Sequence, residues 1–104
     1  MKNYKFFMLI GWNPETQEKY FIGTFSDLSL AYGEAYQFLI NLGEEDSFLK
    51  ISSPEFLNEE SNDVDVFIID CFDMYKDFLG NVQIYASNSL ESLGVIESEY
   101  KYRN

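Results

Sequence analysis

The 104-residue sequence contains no histidine, one cysteine, two prolines and only seven basic residues. Without histidine there is no Ser-His-Asp or Cys-His arrangement. The commonest acid/base near neutral pH and the commonest metal ligand are missing with it. A structural zinc site needs about four Cys or His ligands, and Cys71 is the one residue of either type. A lone cysteine forms no internal disulfide, and a reducing cytosol is the expected location. Cys71 adjoins an apolar stretch and reads as a small buried hydrophobe. Its neighbours Asp70 and Asp73 would raise the pKa of the thiol, whereas a reactive thiolate needs it lowered.

Glycine is sparse as well. The six glycines are scattered, and none opens a G-x-x-x-x-G-K or G-x-G-x-x-G pattern, so no phosphate cradle is expected. Long apolar runs are absent. The run at residues 6–10 is five residues long and no small-residue cleavage site follows it. It is expected to be neither a signal peptide nor a membrane span, which takes roughly 20 apolar residues. Asp63 and Asp65 begin the alternate spacing of a calcium loop, but Phe67 takes the next ligand position and no glycine follows. They read as the solvent side of a strand. Paired carboxylates can serve acid/base chemistry or glycoside hydrolysis, but among 18 acids some pair always occurs, so the pattern selects nothing. The expectation is a non-enzymatic protein without metal or cofactor.

What is present is apolar material and negative charge. Hydrophobic residues make up 46% and aromatics 18%, too much for intrinsic disorder, and the length suits a single domain over residues 1–104. Residues 4–12 are apolar and aromatic with little alternation, as in a strand covered on both faces. Asn13 and Pro14 open a turn, and residues 19–25 form the second arm of an antiparallel hairpin. Ser26 reads as an N-cap for a helix over about 27–42. Leu28, Ala31, Ala35, Phe38 or Leu39, and Leu42 lie on one face of that helix, beside a stripe of Tyr32, Tyr36 and Ile40. Gly43 is placed as its C′ residue, and the interior Gly33 suggests a close packing contact.

Residues 48–52 read as a short strand, Ser53 and Pro54 as the opening of a helical turn, and 58–63 as a polar loop. Residues 64–70 and 82–86 read as strands. Residues 71–79 fit either a helix or a strand running into a loop. Asn88 or Ser89 caps a short helix that Gly94 stops, and the tail 95–104 is a final edge strand or frayed. The fold class is α+β: a mainly antiparallel sheet of four to five strands, with one main helix packed on one face, in the order β-β-α-β-β-β plus a short C-terminal helix.

The net charge is −11, and residues 44–77 carry −9 of it, with eleven acids against Lys50 and Lys76. Such a balance repels nucleic acid and anionic membranes and favours a cationic protein. Crowding like charges into one segment lowers stability more than solubility requires, which is explained if a partner neutralises them. The expected contact residues are Glu44, Glu45, Asp46, Glu59, Glu60, Asp63, Asp65, Asp73 and Asp77. Phe56, Tyr75 and Phe78 lie among them as candidate aromatic anchors. The expected role is an acidic inhibitor or immunity protein that neutralises a cationic bacterial toxin such as a nuclease. Two alternatives stand beside it. One is a phage-type DNA mimic acting on a host defence or DNA-binding protein. The other is a small ligand-binding domain or enzyme with a pocket lined by Trp12, Tyr20, Tyr32 and Tyr36.

Overall fold

A computed structural model of the chain describes residues 3–43, 49–61 and 63–101. Its elements are strands β1 (Phe6–Asn13) and β2 (Glu18–Phe25), helix α1 (Leu28–Gly43), strands β3 (Lys50–Ile51), β4 (Glu55–Ser61), β5 (Val64–Phe72) and β6 (Phe78–Ser87), and helix α2 (Leu90–Lys101). The fold is α+β, with every strand pair antiparallel. The sheet has six strands in the order β2-β1-β6-β5-β3, and β4 also pairs with β5. β3 and β4 share one edge: β3 pairs with Cys71 and Phe72, and β4 with residues 64–68. Between them the Ser52 N–H donates to the Asp70 carbonyl, while the Ser52 hydroxyl accepts from the Asp70 N–H. Ser52 thus continues the pairing with β5 between the two strands.

β1 lacks alternation because both its faces are covered. Phe7 and Leu9 join Ala31, Ala35 and Leu39 of α1, together with Ile69, Val82 and Ile84. Met8 and Ile10 point the other way, onto Val64, Val66, Tyr85 and Leu93. The second layer is α2, so the sheet carries a helix on each face and not on one alone. The close approach of α1 requires Gly11, because a Cβ there would strike the Phe38 ring.

Several local expectations change. The helix cap is Asp27, one residue after Ser26: its Oδ1 accepts the Ser29 N–H at 2.8 Å and the Leu30 N–H at 3.4 Å. Gly43 is the last residue of α1. No packing contact explains Gly33, since nothing among the described residues lies within 4 Å of a Cβ built there, and Ile40 is exposed. The turn expected at Pro54 and the loop expected at 58–63 are largely strand β4. Residues 71–79 resolve into the end of β5, a tight turn and the start of β6. Ser89 caps α2, its hydroxyl accepting the Ser92 N–H at 3.1 Å. The helix runs through Gly94 because Leu93, Ile96 and Tyr100 form an apolar stripe on the sheet. That burial outweighs a glycine penalty of about 1 kcal/mol. The Tyr85 and Tyr100 hydroxyls meet at 3.3 Å and tie the helix down.

Candidate functional site

β4 is the least covered strand. All seven of its residues are exposed, and its ladder partner is β5. Among the described residues α1 packs mainly on β1, β2 and β6, and α2 on the same three strands. The β4 edge therefore extends past both helices.

The register assigns its side chains to faces. Phe56 stands opposite Phe67, and their rings meet edge to face at 5.8 Å. Phe67 belongs to the α1 side of the sheet. After an irregularity at Leu57, Glu59 stands opposite Asp65, two positions along β5 from Phe67 and hence on the same face. Two carboxylates thus occupy directly paired positions, an arrangement that destabilises a sheet. Asp65 is half-buried and accepts a hydrogen bond from the Tyr4 hydroxyl on its Oδ2; it is not on the bare solvent side of a strand. Glu60 falls in a second irregularity, and Asp63 lies in the turn between β4 and β5. Glu55, opposite Ile68, lies on the α2 side of the sheet and adds to the charge around Asp70.

Glu59, Glu60, Asp63 and Asp65 therefore gather around the turn end of the β4–β5 hairpin. Asp73 and Asp77 do not join them. They sit at the opposite end of β5, eight or more positions away, about 26 Å at 3.3 Å per residue. Asp73 is also engaged within its own turn, where its Oδ1 accepts the N–H groups of Tyr75 and Asp77 at 2.8 and 3.0 Å. Glu44, Glu45 and Asp46 lie outside the described residues. Lys50 stands opposite Phe72 and Lys76 in the far turn, so neither lysine of the acidic segment reaches the Glu59–Asp65 pair.

Beside this pair the α1 face opens into a pocket of about 370 Å³. Its lining includes Phe7, Ile84, Phe67 and Phe56 from four successive strands, with Tyr4 and Tyr32 against them. It exists because α1 crosses β1 and β6 but stops short of β4. Tyr4 packs edge-on to Phe67 at 6.4 Å. Burial and then Tyr36 raise the pKa of the Tyr32 hydroxyl, which keeps it protonated and able to donate. Of the four aromatics expected around a pocket, Tyr32 alone lines this one. Tyr20 packs on Phe38 and Trp12 on Phe78. Sequence patterning did not point to Tyr4, Phe56 and Phe67 as a set, since nothing short of the strand register brings them together.

The other chemical features are quiet. Cys71 is fully buried, as expected; its thiol donates weakly to the Leu39 carbonyl at 3.8 Å, and burial raises its pKa. Among the described residues no group of three or more His, Cys, Asp or Glu side chains is placed to hold a metal ion. No helix among them is long and apolar enough to cross a membrane. Comparison with protein-family models, curated proteins and solved structures gives no match.

Proposed function

We propose that this chain is a non-enzymatic inhibitor that binds a cationic protein through the turn end of the β4–β5 edge. A bacterial nuclease toxin is the partner class that fits best. The observation that carries the reading is the in-register pairing of Glu59, on the uncovered edge strand β4, with Asp65 on its neighbour β5. Two carboxylates held opposite each other disfavour the free protein, and a cation placed between them reverses the sign of that interaction. Glu60 and Asp63 enlarge the negative field. A field of this kind raises the rate of encounter with a basic surface. Nuclease clefts are basic because they hold phosphates, so a compact acidic projection suits them. The cluster is short and lies at one end of the sheet, which favours plugging a cleft over imitating a long stretch of duplex.

The test is binding to, and inhibition of, a panel of cationic bacterial nuclease domains, with wild-type protein and with the triple variant Glu59→Lys, Glu60→Lys, Asp63→Lys. The expected result is inhibition by wild type, lost in the variant, with association slowing as salt rises. Binding that is unchanged by the triple reversal for every nuclease that binds would sink the proposal.

A further inference from the structure

We infer that the pocket beside the Glu59–Asp65 pair receives an arginine side chain from the partner, an inference that rests on the cationic-partner reading above. The pocket volume of about 370 Å³ is at the small end for ligand sites, the scale of one or two side chains. Its composition selects among occupants. Tyr4, Tyr32, Phe56 and Phe67 offer aromatic rings, on which a planar, weakly hydrated guanidinium packs well. The adjoining positions on the same face are Asp65, next to Phe67 along β5, and Glu59, across from it.

The Tyr4 hydroxyl links the two regions. It belongs to a pocket-lining residue and donates to Asp65 Oδ2, which leaves Oδ1 without a hydrogen bond among the described residues. A guanidinium lying across the rings can direct its forked donors at that oxygen and at Glu59. Lysine carries the charge but neither the plane nor the fork. An apolar side chain would fill the aromatic part while pressing the two carboxylates out of water without a counter-charge, which is unfavourable.

The experiment needs no partner. Aromatic and amide NMR signals are followed while N-acetyl-arginine amide is added to the full chain. N-acetyl-citrulline amide, its uncharged isostere, and N-acetyl-phenylalanine amide serve as comparators. Arginine is expected to move the ring signals of Tyr4, Phe56 and Phe67 and to bind tighter than either comparator. The double variant Glu59→Gln, Asp65→Asn should weaken it by about threefold or more. Phe56→Ser, at a residue 60% exposed and so tolerated by the fold, should weaken it as well. Citrulline or phenylalanine binding as tightly as arginine overturns the inference. So does arginine that shifts only signals away from the pocket, or shifts none. If arginine fails while the triple charge reversal still abolishes nuclease binding, the pocket is lost and the acidic edge stands. If arginine binds but no cationic nuclease does, the pocket stands and the partner reading fails.

Discussion

Glu59 and Asp65 face each other across the β4–β5 ladder on the α1 side of the sheet, and Asp65 is held there by the hydroxyl of Tyr4. In the free protein this pairing opposes folding. Glu59→Gln should therefore stabilise the isolated chain by about 0.2–1 kcal/mol, the range of a cross-strand pair, with the gain shrinking as salt screens the charges. Urea denaturation at low and high ionic strength measures both. The same substitution should weaken association with a cationic partner. A variant that is both less stable and unaltered in binding would remove the reason for assigning this pair to a partner.

Asp70 stands opposite Asn81 on the α2 side of the β5–β6 ladder, and Asn81 is 5% exposed with no donor to its Oδ1 among the described residues. Burial raises the Asp70 pKa; the Asn81 side-chain hydrogen bond lowers it, and the charge of Glu55 raises it further. An acid whose pKa is raised on folding binds its proton more tightly in the native state. Its contribution is thus most favourable when protonated and declines as pH rises through the carboxylate range. A protonated Asp70 can also donate to Asn81 Oδ1, which the ionised form cannot. Asp70→Asn supplies a donor at every pH. It should raise stability at neutral pH by on the order of 1 kcal/mol, and the difference should vanish in acid. Thermal melts of both proteins across the acid range decide it; a difference that does not change with pH would exclude this titration as its origin.

The parts of this fold that were legible from sequence are those where burial writes a pattern. The first hairpin and α1 carry apolar runs and a stripe at spacings of three and four. The expected sheet–helix order is correct because those signals dominate. β4 was hidden because an edge strand exposed on both faces needs no alternation: Glu55 to Ser61 is held by its ladder to β5, and the ladder is not local. The second half of α2 was hidden by Gly94, although Leu93, Ile96 and Tyr100 already had helical spacing. The acidic segment was legible as a run but not as a surface. Asp65 lies at the start of β5 and Asp73 just past its end, so the strand divides one apparent cluster into two ends.

Gly33 and Gly94 lie in helix interiors with open space where a side chain would be. Each alanine substitution should therefore stabilise by up to about 1 kcal/mol, since the only change is the loss of glycine's unfolded-state freedom. Gly11 and Gly80 predict the opposite. A Cβ on Gly11 meets the Phe38 ring, and Gly80 has φ of 150° with the Trp12 carbonyl in the way. Four alanine variants compared by differential scanning calorimetry should rise in melting temperature for the first two and fall for the last two. Destabilisation by Gly33→Ala would point to a contact on the outer face of α1.

The turn between β5 and β6 assigns Asp73 a structural role that its place in the acidic run concealed. Its carboxylate accepts two backbone N–H groups, and its own N–H and carbonyl bond to the Asp77 carbonyl and the Lys76 N–H. This fixes a turn in which Tyr75 is 75% exposed and Lys76 adopts φ of 68°. Asp73→Ala should cost about 1–3 kcal/mol by leaving charge-assisted hydrogen bonds unmade, whereas Asp73→Asn retains an acceptor and loses less. Lys76→Gly should recover about 1 kcal/mol, because glycine adopts the left-handed region without the side-chain penalty. For binding, Asp73→Asn should leave association with a cationic nuclease unchanged, while removing a single charge at Glu59 or Asp63 weakens it. Equal losses at Asp73 and Asp63 would mean that the partner reaches both ends of β5, about 26 Å apart, and that the contact surface is the whole strand edge and not its turn end.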